Sequence, residues 1–173
     1  MVGIIAMKGI PWIVFVVMLL FAIGYLILTA SNLPPLVASH FNGAGDPTAY
    51  MTRSFYTQFV LALGVGLPLA MVALLTVVFS SAQDMRLPNR DYWLAPERIA
   101  RTRSVLVSFG VWMGSLMVAM VCYIHWLELG AHRSVPPHFS NHLVLGGLLV
   151  FFLITIGFIV AMLGAFHLPR DQR

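Results

Sequence analysis

The segment Ile10–Ala30, IPWIVFVVMLLFAIGYLILTA, runs for 21 residues without a Lys, Arg, Asp or Glu. About 20 apolar residues are needed to cross the hydrocarbon core of a bilayer as a helix. Three further uncharged runs of comparable length follow it: Tyr56–Ser80, Ser104–Leu127 and Leu143–Phe166. The sequence therefore predicts an all-α integral membrane protein, a four-helix transmembrane bundle that forms a single domain over residues 1–173.

The composition supports this fold class and excludes several others. The chain is 60% hydrophobic and only 9% charged, with a mean hydropathy of +0.89, whereas soluble domains carry about 25% charged residues. The four runs leave only short loops, so no separate soluble domain is expected. The first run also exceeds the apolar region of about 7–15 residues found in signal peptides, which favours a retained span. The formal charge of +4 has a topological explanation and does not indicate a nucleic-acid partner.

The basic residues predict the orientation of the spans. Eight of the ten lie in the N-terminus, the second loop and the C-terminal tail, while the first and third loops hold only Arg53 and Arg133. Short loops rich in Lys and Arg remain cytoplasmic. Both termini and the second loop are therefore predicted to be cytoplasmic, and the other two loops to face outwards. Three arginines near the start of the third span are expected to meet lipid headgroups: Arg98, Arg101 and Arg103.

Prolines and turn residues predict the local structure between and within the spans. The first outer loop, from Leu36 to Ser54, is dense in Asn, Gly, Asp and Pro, which predicts turns. Pro68 lies in the middle of the second span, where it is expected to kink the helix and free the Gly64 carbonyl. Pro96 is typical of a first helical position, so the third helix is expected to begin there.

Two segments outside the spans carry a family resemblance. They are LPPLVASHFNGAGDP at 33–47 and LPNRDYWLAPER at 87–98. Together they resemble the bacterial membrane domain catalogued as domain of unknown function 1648, which also forms the N-terminal part of SdpI-type immunity proteins. The resemblance implies a multi-pass protein of the bacterial cytoplasmic (inner) membrane, but the family has no agreed activity. The matching positions are His40, Phe41, Asn42, Gly45, Pro47, Asn89, Tyr92, Trp93, Pro96 and Glu97.

The histidines are concentrated on the side predicted to face outwards. Neutral imidazole is a good ligand for Zn and Cu, and Asp46 or Glu128 could add a carboxylate. The sequence therefore offers a candidate metal site for Zn or Cu. The alternative interpretation is that these are solvated loop residues, with His125 as a polar residue near the membrane edge. The candidate ligands are His40, His132, His138 and His142.

Small residues recur at helical spacing in the third and fourth predicted spans. Such faces let helices approach closely in lipid. They predict close helix–helix contacts, which could lie either within the bundle or between this chain and another subunit. The residues are Gly110, Gly114, Gly157, Ala161 and Gly164.

Four sequence motifs that mark common enzyme classes are missing from the chain. Gly-x-Ser-x-Gly, His-Glu-x-x-His, a phosphate-binding loop and Cys-x-x-Cys are all absent. The sequence favours a non-catalytic accessory, assembly or regulatory subunit that binds lipid and another membrane protein or peptide, or a second copy of itself. The alternatives are an outer-facing protein that binds a metal or small ligand and, third, a permease component.

Overall fold

A computed structural model describes residues 9–81 and 87–167. Four of its helical segments are long and apolar enough to cross a membrane, which is the number of spans predicted from the sequence. The basic residues Lys8, Arg86, Arg170 and Arg173, which entered the prediction of orientation, lie outside the described residues. The helices and strands are α1 (Ile10–Ala30), β1 (Leu36–Phe41), β2 (Pro47–Thr52), α2 (Arg53–Leu61), α3 (Leu67–Ser80), α4 (Arg90–Trp93), α5 (Ile99–Ala131) and α6 (Asn141–Ala165).

The first outer loop is a β-hairpin rather than an irregular loop. Strands β1 and β2 pair antiparallel, with Val37 opposite Met51, and a bulge follows Ala38. Val37 and Ala38 are almost completely buried, so the hairpin lies on the end of the bundle. The turn residues recognised in the sequence form its tip. The prediction of an all-α fold is therefore correct for the spans and wrong for this segment.

The second span is broken by a π-helical turn at Ala62–Gly66, between α2 and α3. The N–H of Leu67 donates to the Ala62 carbonyl, five residues earlier. Pro68 follows within the first positions of α3 and is buried. The irregularity predicted from Pro68 is therefore present, but it takes the form of a wider turn on the N-terminal side of the proline.

Helix α5 is the centre of the bundle and is longer than the predicted third span. It begins at Ile99, three residues after the expected start at Pro96, and continues to Ala131, so that it holds 33 residues. Helices α1 and α3 pack on it through a core that includes Phe15, Val72 and Val111. Helix α6 packs against α5 but buries none of its own residues.

The loops meet in two groups at opposite ends of the bundle. At one end, the hairpin contacts the α5–α6 loop, where Phe139 N–H donates to the Gly45 carbonyl at 2.9 Å. At the other end, Asn89 of the second loop donates to the Phe166 carbonyl. This grouping is the one expected for four spans, while the cytoplasmic location of the second loop stays a prediction.

Candidate functional site

A buried chain of polar side chains lies at the hairpin end of the bundle. His125 of α5 has no exposed surface, and Tyr56 of α2 is 8% exposed. The Tyr56 hydroxyl is 2.7 Å from Nδ1 of His125, and Thr29 Oγ1 of α1 is 2.8 Å from Nε2 of the same ring. The imidazole therefore joins the first three spans through both of its nitrogens.

The direction of each hydrogen bond in this chain follows from Thr29. Its hydroxyl donates to the Tyr25 carbonyl at 2.5 Å, so its oxygen must accept from His125. Nε2 of His125 therefore carries the ring proton. In a neutral imidazole the other nitrogen is then an acceptor, and the Tyr56 hydroxyl donates to it. The order is Tyr56 to His125 to Thr29 to the Tyr25 carbonyl, and we call this chain of four groups the relay.

A second histidine on α5 ties the hairpin to the bundle. The N–H of Ala38 in β1 donates to Nε2 of His132 at 3.1 Å. Because Nε2 accepts, a neutral His132 carries its proton on Nδ1, which lies 3.0 Å from the Glu128 carbonyl oxygen. His125 and His132 thus hold their protons on opposite nitrogens, although they stand two turns apart on one helix.

Glu128 lies between these two histidines and is 6% exposed. Its Oε1 is 3.3 Å from Nδ1 of His132, yet no hydrogen bond to that oxygen has acceptable geometry among the described residues. The ring proton is better directed at the backbone carbonyl. The sequence placed Glu128 in a loop after a span ending at Leu127. The helix instead continues past it, so this carboxyl lies within the same helix as the third predicted span.

The first segment that carries the resemblance, residues 33–47, includes β1 and the tip of the hairpin. The Asn42 side-chain oxygen accepts from the N–H groups of Ala44 and Asp46, both at 2.9 Å. Gly45 has φ of +92°, and a Cβ there would collide with the Phe139 carbonyl oxygen. Phe41 stacks on Phe139 with ring centroids 4.6 Å apart. These positions therefore shape the turn and attach it to the α5–α6 loop.

The second segment that carries the resemblance, residues 87–98, attaches the loop between the second and third spans to the end of α6. Asn89 Nδ2 and the Trp93 ring N–H both donate to the Phe166 carbonyl, at 3.1 and 2.8 Å. Thr102 in turn donates to the Trp93 carbonyl at 2.8 Å. Asn89 adopts the left-handed conformation that precedes α4, which Asn tolerates better than most residues. Pro96 and Glu97 are exposed in the turn before α5.

The three arginines expected at lipid headgroups are in different environments. Arg101 is exposed, as a headgroup contact requires. The Arg98 guanidinium lies 4.0 Å from the centre of the Tyr92 ring, a cation–π contact within the loop. Arg103 is half-buried, and its Nε is enclosed without a hydrogen-bond partner among the described groups.

The predicted metal ligands lie apart from one another. His132 is held by Ala38 and Glu128, while His138 lies 3.6 Å from Asp46 on the surface. His40 and His142 are exposed. Within residues 9–81 and 87–167, no three His, Cys, Asp or Glu residues form a group that could hold a metal. The Zn or Cu site stays a prediction that would require these loops to rearrange.

The small residues of the third and fourth spans have separate roles. A Cβ at Gly114 would collide with Val72 and crowd Phe15, and Gly110 faces Leu75. These two glycines therefore serve packing inside the bundle. The residues of α6 form a different face, where a Cβ on Gly157 would meet nothing within 4 Å, and the same is true of Gly164. Ala161 lies between them on α6.

Sequence reasoning missed the relay and one helix contact. His125 was recognised only as a residue near the membrane edge, and nothing in the sequence pairs it with Tyr56, which is 69 residues away. Gly147 was also missed, although it receives the ring of Tyr123, and a Cβ there would collide with that ring. Comparison with protein-family models, curated proteins and solved structures finds no match, so the family resemblance stays a prediction.

Proposed function

We propose that the protein is a non-catalytic subunit of a membrane complex, which binds another membrane protein through helix α6. The observation that carries this proposal is the exposure of that helix. In the most hydrophobic stretch of 18 residues in α5, half of the residues are buried in the bundle, whereas none are buried in the corresponding stretch of α6. A span that contributes so little to its own bundle has most of its surface available to a neighbouring helix.

The chemistry of the exposed face supports the same proposal. Gly157, Ala161 and Gly164 are spaced four and three residues apart, so they lie on one side of the helix. Gly157 and Gly164 have open space where a side chain would stand. Small residues at such spacing allow two backbones to approach in lipid, where van der Waals packing drives association.

The two enclosed histidines support a structural role for the rest of the bundle. Ionisable residues inside a membrane commonly mark functional sites. Here both nitrogens of His125 and both of His132 are taken by hydrogen bonds within the protein. These bonds connect the spans and the hairpin, which is what a rigid scaffold for the α6 face requires.

Co-purification in mild detergent tests the proposal. Gly157→Leu and Gly164→Leu should each abolish retention of the partner while the protein still inserts and folds, because a Leu side chain separates the two helices. Gly24→Leu on α1 is the matched control, since a Cβ at Gly24 would also meet nothing within 4 Å. Native mass spectrometry would identify the partner as a second copy or a different protein. Retention of every partner by both α6 variants would contradict the proposal.

A further inference from the structure

We propose that the groove between α5 and α6 binds one phospholipid with an anionic headgroup, in the leaflet on the hairpin side. This binding site is independent of the partner face described above. Two adjoining cavities carry the inference: one is apolar, and the other has both apolar and polar lining residues. Leu143 lines both of them.

The apolar cavity has a volume of about 380 Å³ and lies between the two last spans. The Tyr123 ring rests on Gly147, and its hydroxyl donates to the Leu143 carbonyl at 2.7 Å, so this contact holds the two helices in place. Gly146 opens the groove, because a Cβ there would have no atom within 4 Å. The other lining residues include Leu116, Met120, Val150, Phe151 and Ile154.

The length of this cavity matches one acyl chain. Its lining on α6 extends from His142 to Ile154, and a rise of 1.5 Å per residue gives about 18 Å. Half of a hydrocarbon core of about 30 Å is about 15 Å. A single chain from one leaflet therefore spans the groove from its outer end to the middle of the membrane.

The second cavity, of about 210 Å³, adjoins the outer end of the groove. Arg133 and His138 line it, and no Asp or Glu is among the described residues lining either cavity. Asp46 lies 3.6 Å from His138 and offsets any charge on it, which leaves the exposed Arg133 as the cation. Its positive charge attracts a headgroup with a net negative charge. The charge and the shape together fit an acyl chain below and an anionic phosphate headgroup above.

Lipid retention by the full-length protein tests this site. The protein is purified in detergent with equal amounts of phosphatidylglycerol and phosphatidylcholine carrying the same acyl chains, and native mass spectrometry counts the lipids retained. We expect each chain to retain about one phosphatidylglycerol, with a preference of roughly five-fold over phosphatidylcholine. One basic residue near an anionic membrane surface contributes about 1 kcal/mol, which corresponds to this ratio. Arg133→Gln should remove the preference, and Arg133→Lys should keep it.

A second variant tests the apolar part. Gly146→Leu fills the groove and should abolish retention of both lipids, whereas Gly24→Leu, on a span outside the groove, should retain them. Equal retention by the wild type and Gly146→Leu would overturn the acyl-chain site. An unchanged preference in Arg133→Gln would overturn the headgroup site, and this result stands by itself because Arg133 is exposed and its replacement does not disturb the packing.

Discussion

Removal of the Tyr56 hydroxyl should destabilise the bundle by about 1.5 kcal/mol. In Tyr56→Phe the Nδ1 acceptor of His125 loses its donor at 2.7 Å, and the fully buried ring has no access to solvent. An unsatisfied buried group costs about 1–3 kcal/mol in soluble proteins, whereas polar contacts between membrane helices average about 0.6 and reach about 1.7 kcal/mol. Because His125 is completely buried, we expect the loss of this hydrogen bond to cost an amount near the upper end of the range for membrane helices.

Reversible unfolding in mixed micelles measures this loss. Tyr50→Phe is the matched control, because its side chain is 51% exposed on the hairpin and the loss of its hydroxyl should have almost no effect. Thr29→Val removes the acceptor on the other side of the imidazole. The double variant should then cost measurably less than the two single variants added together, because both act on one ring. If Tyr56→Phe were no more destabilising than Tyr50→Phe, the relay would not hold the spans together.

Three further predictions concern packing, orientation and metal binding. Gly114→Leu should prevent folding, since the glycine contacts Phe15 and Val72, and a folded variant detected by size-exclusion chromatography would contradict this packing. Cysteines engineered at Ala44 and Ser134 should react with an impermeant reagent added outside the cell, and one at Asn89 should not; the reverse pattern would invert the predicted topology. If the outer histidines bind metal, protein purified without chelators should contain stoichiometric Zn or Cu by elemental analysis, His138→Ala should lose it, and metal-free wild-type protein would count against the site.

The spans could be predicted because their signal is local. Each one is a continuous apolar run, and the bilayer requires the backbone groups of such a run to be satisfied within a helix. The start of α5 at Ile99 and its end at Ala131 instead lie beyond the limits of the uncharged run Ser104–Leu127. A carboxyl ends an uncharged run in the sequence even where the fold encloses it. The sequence therefore predicts that Glu128 lies outside the span, although the structure buries it in the helix.

The candidate site was less predictable because its parts are distant in sequence. Thr29, Tyr56 and His125 belong to three spans, and no pattern within one span shows that they meet. Gly114 and Gly157 illustrate the same limit, since both are small residues in apolar helices. One is enclosed by two neighbouring spans and the other faces open space, and this difference arises only when the helices assemble.

The π-helical turn at Ala62–Gly66 has a consequence for the alignment of the second span. Its buried positions recur at every fourth residue: Tyr56, Val60, Gly64, Pro68 and Val72. In a regular helix, each step of four residues would rotate the side chain by about 40°, so the last position would point away from the first by about 160°. The wider turn takes up much of this rotation. A regular α-helix with the same number of residues could keep either its outer or its inner half facing α5, but it could not align both.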